Sequence, residues 1–407
     1  MERVAQWWRA WSQIKLVQRI LIGLGVGLLL AWLCPQWQWL GLLGKLFVSA
    51  LKAMAPVLVF FLVMASLAQH RTDQPTNIKE VLVLYFVGML LAALTSVGMD
   101  FLFKPTLVLG NIPQEVAPPQ GLDQVLHNLI MSIVQNPVEA LAQANYIGIL
   151  FWATVIGLAC TKISESSRQV LLELSEVLSR VIAWIIEFAP FGVLGLIYTA
   201  VTVGGFQALQ SYGRLILVLV GTMLIVALIL NPLLVYLKLR RNPYPLVLKC
   251  LKDSGLTAFF TRSSAANIPV NMRLCEELKL DKATYSVSIP LGATINMEGA
   301  GVTIVLLTLA AVNTLGISVD LATSIILCIL AVISACGTSG VAGGSLLLIP
   351  LACSLFGMDQ DLAMQVVGVG FVISVIQDSC ETALNSSADV LFTATAEFAK
   401  RPAREDS

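Results

Sequence analysis

The run DSCETALNSSAD, residues 378–389, lies inside an otherwise apolar stretch at about 362–398 and decides how the chain is read. Asp378, Glu381, Thr382, Asn385 and Asp389 fall at offsets 0, 3, 4, 7 and 11, which places all five on one stripe of an α-helix. A carboxylate at the centre of a bilayer costs about 2.5–3.5 kcal/mol on insertion scales. Three on one helix must therefore face a protein interior that supplies cations, donors or protons. The stripe reads as a binding site.

Its surroundings are those of a polytopic membrane protein. Of 407 residues, 57% are hydrophobic and 12% charged, with a mean hydropathy of +0.83, far from the balance of a soluble domain. Zero net charge gives no basic surplus for a nucleic acid. The eight cysteines are scattered without a C-x-x-C pair and read as small apolar residues rather than a disulfide or metal framework. The only histidines, His70 and His127, lie far upstream in loops, so Ser339 has no evident base and a hydrolase finds no support. Residues 1–13 are polar without a cleavable signal pattern, and the first apolar run reads as a retained span.

Apolar segments recur at about 16–33, 40–67, 81–103, 140–160, 178–201, 215–237, 285–312, 321–356 and 362–398. Lys and Arg cluster before the first, between the second and third, between the fourth and fifth, after the sixth and at the chain end. Loops 34–41, 105–146, 313–320 and 357–361 have none. The positive-inside rule then puts both termini in the cytoplasm. Two segments break the alternation. TRSSAAN (261–267) interrupts a stretch with basic flanks on both sides, and CGTSGVAGGS (336–345) interrupts one with none. Each is expected to return to its own side, the two from opposite faces, unless both are ordinary kinked spans. Such breaks free backbone groups that are tolerated at membrane depth only beside a cavity. A pair of opposite orientation is the mark of an inverted-repeat secondary transporter. Between them GATINMEGA (292–300) sets Thr, Asn and Glu between glycines. Unwinding there would expose carbonyl oxygens of the kind hard cations take; the plainer reading is hydrogen bonding between helices.

With these motifs (261–269, 292–300, 337–344 and 378–389) the sequence resembles the dicarboxylate/amino acid:cation symporters of the glutamate-transporter fold, over nearly its whole length. The resemblance implies an all-α polytopic fold of eight transmembrane helices and two re-entrant helical hairpins, assembled as a homotrimer. Residues 1–212 would be mostly trimerisation scaffold, with a third helix at about 79–104 joining the transport domain. Residues 213–407 would be that domain, with hairpin 1 (about 244–276), an unwound helix 7 (about 283–314), hairpin 2 (about 321–356) and helix 8 (about 362–398), sliding across the membrane as an elevator.

Site residues follow by match. Ser263 and Ser264 at the first tip, with the Asn385 amide, would hold the substrate carboxylate. Asp378, helped by Thr382, would take the α-ammonium, and backbone at Val341, Ala342 and Gly343 would close over the ligand. One Na⁺ site would use Asp389 with carbonyls of Gly292, Asn296 and Asn385; another would use Thr294 with carbonyls near residues 335–338. No organic cofactor is implied.

Departures from the pattern narrow the substrate. Where members that carry acidic amino acids have Arg, this chain has Glu381, and their substrate-contacting Thr is Ala300. Both changes disfavour an anionic side chain and leave an acceptor for a hydroxyl, as in the serine/threonine:sodium branch. Arg262 is the complication, since pairing with Glu381 would consume that acceptor. A third ion site is in doubt, because Glu298 replaces the family's Asp and Met89-Leu90 stand where a Thr-Ser pair is expected. The expectation is thus sodium-coupled import of L-serine and L-threonine across a bacterial inner membrane. The alternatives are Na⁺- or H⁺-coupled transport of another neutral amino acid or of acidic amino acids and dicarboxylates, and a substrate-gated ion channel.

Overall fold

The computed structural model describes residues 14–68, 78–110, 130–131, 133–336 and 343–400, and every regular element among them is helical. In chain order these are α1 (Leu16–Leu33), α2 (Gly41–Ala68), α3 (Ile78–Phe103), α4 (Pro137–Ala142), α5 (Tyr146–Cys160), α6 (Glu165–Glu187) and α7 (Ala189–Ile225). A π-turn at Val226–Leu230 continues α7 into α8 (Asn231–Leu239). Then come α9 (Tyr244–Cys250), α10 (Leu256–Thr261), α11 (Ser264–Glu277), α12 (Lys282–Ile295), α13 (Glu298–Thr314), α14 (Leu321–Ala335), α15 (Ile349–Ser354) and α16 (Gln360–Phe398).

Six of the described segments are long and apolar enough to cross a membrane, and a bent pair makes a seventh. That pair corrects the span expected at 178–201. α6 and the first part of α7 meet at Phe188 with a bend of 54°, where Pro190 in the first turn of α7 lacks the N–H that would continue the helical ladder. The span expected at 140–160 is likewise divided. Asn136 caps α4 and Asn145 caps α5 with its side chain, so the helix starts afresh at Tyr146.

The early helices pack on one another by close backbone approach. Gly27 of α1 lies on α7, and a Cβ there would stand 2.7 Å from the Leu194 carbonyl oxygen, so only glycine lets the two helices meet. The outer faces of α1 and α2 expose Leu21, Leu29, Trp32, Leu42 and Leu46, as lipid-facing surfaces do. α13 and most of α16, by contrast, are buried, and α12 buries Thr284, Tyr285, Ser288, Ile289, Gly292 and Ala293. α16 runs through the middle, touching α3, α7, α10, α12 and α13.

Two antiparallel helical arms flank this centre. In the first, α9–α10 turns at Arg262 (φ 53°) into α11. The Ser263 hydroxyl accepts from the Ala266 N–H to start the return arm. The arms are tied to each other and to α16 by a buried network. Asn267 Nδ2 donates to Ser386 Oγ (2.7 Å) and Ser254 Oγ (3.1 Å), Ser254 Oγ donates to Asn271 Oδ1 (2.5 Å), and Asn271 Nδ2 donates to the Ser386 carbonyl (3.0 Å). Asn271→Leu strands several of these groups at a cost of about 1–3 kcal/mol each. The purified variant should therefore melt several degrees lower in a thermal-shift assay.

The second pair is α14 and the stretch from Gly343 through a 3₁₀ turn (Ser345–Leu348) into α15. The tip between them, 337–342, lies outside the described residues, as do the expected contacts of Val341 and Ala342.

Candidate functional site

Polar side chains gather where α12 breaks off before α13, beside the middle of α16. Asn296 and Met297 leave helical geometry (ψ 84° and 56°) between the two helices, so the break expected at 292–300 is present. Asn385 of α16 repairs one end of it: its Oδ1 accepts from the Gly299 N–H at 2.7 Å, and its Nδ2 reaches Met297 Sδ at 3.3 Å. The Asn385 amide thus meets the break with both its oxygen and its nitrogen.

Asp389 lies one helical turn further on and is completely buried. Its Oδ1 accepts from Asn296 Nδ2 at 3.0 Å, while its Oδ2 and Asn296 Oδ1 are sealed from solvent without a donor. Unpaired buried acceptors of this kind are costly and are the oxygens a hard cation takes. Gly292 makes the room, since a Cβ there would stand 2.6 Å from Asp389 Oδ1 and 2.7 Å from the Tyr85 hydroxyl. Gly292→Ala should push that carboxylate off its seat. The expected result is a rise of about tenfold or more in the Na⁺ concentration for half-maximal thermal stabilisation, read against wild type in the same titration. The Gly292 carbonyl accepts from the Asn296 N–H at 2.9 Å, and the Thr294 hydroxyl bonds back to the Leu291 carbonyl at 2.8 Å.

Nearer the arm tips, α16 presents two further carboxylates. Asp378 receives Arg262 Nε at 2.6 Å on Oδ2, both side chains nearly buried, and the Gly343 N–H at 3.3 Å on Oδ1. The turn between α10 and α11 and the described end of the second tip thus converge on one carboxylate. The pairing weighed between Arg262 and Glu381 does not form: the left-handed turn at residue 262 carries the guanidinium to Asp378. Glu381 is held by neutral donors instead. Its Oε2 accepts from Thr303 Oγ1 (2.7 Å), Ser345 Oγ (2.9 Å) and Gln377 Nε2 (2.5 Å). The Thr382 hydroxyl donates to the Asp378 carbonyl at 2.7 Å, and Ser264 is buried at the start of α11.

Sequence reading did not single out Thr303, Ser345 and Gln377, nor Asn231, whose Nδ2 donates to Glu298 Oε2 at 2.8 Å and ties α8 to α13. Gln377 was within reach, being a polar residue one turn before Glu381 in an apolar helix. The others are joined only by the fold.

Comparison with known proteins identifies the family. The profile of the sodium:dicarboxylate symporter family matches residues 16–397. Proteins named serine/threonine transporter SstT from Streptococcus agalactiae serotype III and serotype Ia are each 56% identical over 390 residues, covering 96% of this chain and 97% of theirs. The serotype V relative, which bears the same name, matches to the same extent. With a family profile spanning nearly all of its length and relatives this similar, the chain is a membrane transporter that belongs to the sodium:dicarboxylate symporter family.

Proposed function

We propose that the protein couples the entry of Na⁺ to the import of L-serine and L-threonine by alternating access. The observation that carries the substrate class is Glu381, a buried carboxylate satisfied by two hydroxyls and an amide and by no cation. It repels a substrate carboxylate and accepts a substrate hydroxyl. The names of the relatives support the same class. Asp378 takes the α-ammonium in place of Arg262, and the displaced guanidinium, with Ser263, Ser264 and the tip backbone at 341–343, is left to meet the α-carboxylate. Na⁺ enters at Asp389 with the oxygens of Gly292, Asn296 and Asn385, where two acceptors lack a donor. A second Na⁺ takes Thr294 and carbonyls near residues 335–338.

In this reading α1, α2 and α4–α6 form a scaffold that holds a homotrimer. α3 and the chain from about residue 213 onward move as one transport body, with the two antiparallel arms as re-entrant hairpins, giving eight transmembrane helices in an inverted repeat. The bacterial inner membrane is the setting, with both termini cytoplasmic. A Na⁺ gradient and the membrane potential, about 2.3 kcal/mol per charge per 100 mV, supply the driving force.

The test is uptake of radiolabelled L-serine into proteoliposomes under an inward Na⁺ gradient, competed with threonine, alanine, aspartate and glutamate. Na⁺-dependent uptake blocked by threonine and not by aspartate is expected. Block by aspartate would overturn the substrate assignment, uptake indifferent to Na⁺ would overturn the coupling ion, and current without serine accumulation would make the protein a channel.

A further inference from the structure

We propose that Thr303, Ser345 and Gln377 are positioning residues for substrate selection, holding one oxygen of Glu381 so that the other stands as the acceptor for the substrate hydroxyl. The proposal rests on the reading of Glu381 given above and deepens it.

All three donors reach the same atom, Oε2, and they come from three different parts of the fold: α13, the segment after the second tip, and α16 itself. Thr303, Ser345 and Gln377 are at most 1% exposed, so water does not compete for these bonds. Gln377 Nε2 also donates to Thr303 Oγ1 at 2.8 Å, which makes the group a closed network. A carboxylate oxygen has about two lone-pair directions, so three donors leave Oε2 no capacity for a ligand. No hydrogen bond reaches Oε1 from the described residues. It is the half of the group that no described donor occupies.

The network matters because the terminal torsion of a glutamate is broad and roughly two-fold. Left to itself the carboxylate would rotate and offer its acceptor over a wide arc. Pinned at Oε2 from three sides, it offers Oε1 in one direction. The donors are neutral, so the carboxylate is not matched by a cation, and Arg262 is engaged by Asp378. A hydroxyl donated to Oε1 then makes a charge-assisted bond, while a methyl in the same place leaves the oxygen unmet.

The experiment compares L-serine with L-alanine binding to the purified full-length protein in saturating Na⁺, for wild type, Thr303→Val, Gln377→Leu, Ser345→Ala and Thr303→Ser. Valine keeps the shape of threonine, and Na⁺-induced thermal stabilisation checks that each variant is folded. Thr303→Val and Gln377→Leu should each lower the serine/alanine affinity ratio by about tenfold or more, the range for a hydrogen bond to a charged group, with Ser345→Ala moving it the same way. Thr303→Ser should restore the ratio. A fall of serine and alanine binding in parallel, an unchanged ratio, or a Thr303→Ser variant that behaves like Thr303→Val would overturn the assignment. If wild type itself shows no preference for serine over alanine, Glu381 is not the hydroxyl acceptor, and both readings fall. A wild-type preference that survives all the variants overturns the positioning role alone.

Discussion

Asp389→Asn should raise the Na⁺ concentration for half-maximal serine uptake by about a hundredfold or more. Removing one member of a buried charge pair costs about 3–5 kcal/mol, and each 1.4 kcal/mol is a factor of ten. In the structure the carboxylate has one donor, Asn296 Nδ2, and an Oδ2 with none. At the proposed site a cation would satisfy Oδ2 and Asn296 Oδ1 together. An asparagine at 389 removes the charge and brings an N–H that satisfies Asn296 Oδ1 without a cation, so both reasons for the ion to bind are lost. The substitution also has an opposite signature: relieved of a buried unpaired charge, the Na⁺-free variant should melt at or above the Na⁺-free wild type. A thermal-shift titration with NaCl against choline chloride reads both effects, and an unchanged Na⁺ midpoint would remove Asp389 from the ion site.

Glu381→Arg combined with Ala300→Thr should convert serine selectivity into acceptance of aspartate, shifting the aspartate/serine uptake ratio by about a thousandfold. Forming or losing a buried, hydrogen-bonded charge pair is worth about 2–5 kcal/mol or more. The surroundings suit the exchange. The hydroxyls that now donate to Glu381 can rotate to accept from a guanidinium, and Gln377 Oε1, buried without a donor, would gain one. Ala300 is fully buried at the start of α13, and a threonine there adds the hydroxyl that the resemblance assigns to the substrate's side-chain carboxylate. Competition of labelled serine and labelled aspartate uptake in proteoliposomes decides the matter. Continued exclusion of aspartate would mean that the pocket walls set specificity.

What the sequence made legible was whatever a single helix or turn can express. The stripe at Asp378, Glu381, Thr382, Asn385 and Asp389 needs only the 3.6-residue period of α16. The break at Asn296–Met297 needs only small and polar residues in an apolar run. The bends were harder to read, because their signals, Pro190 and the cap Asn145, are single residues inside otherwise apolar runs. Pairings across the fold were out of reach. Arg262 and Asp378 are separated by 116 positions, and Thr303 and Glu381 by 78. Whether Arg262 meets Asp378 or Glu381 turns on one left-handed residue. That choice decides which of the two carboxylates the guanidinium occupies, so features carried by one helix or turn were legible and the pairings between them were not.

The ion pair between Arg262 and Asp378 bears on the half of a transport cycle in which nothing is carried. A carrier driven by a gradient must bring its vacant site back, and an isolated carboxylate exposed to hydrocarbon on that journey would cost about 2.5–3.5 kcal/mol. Here the protein furnishes its own cation. With the guanidinium on Asp378, the charge that an amino group would neutralise is already cancelled. Under the proposed function, in which substrate displaces this arginine from Asp378, the same residue would lower the barrier for the unloaded journey, and turnover in net uptake would become sensitive to it.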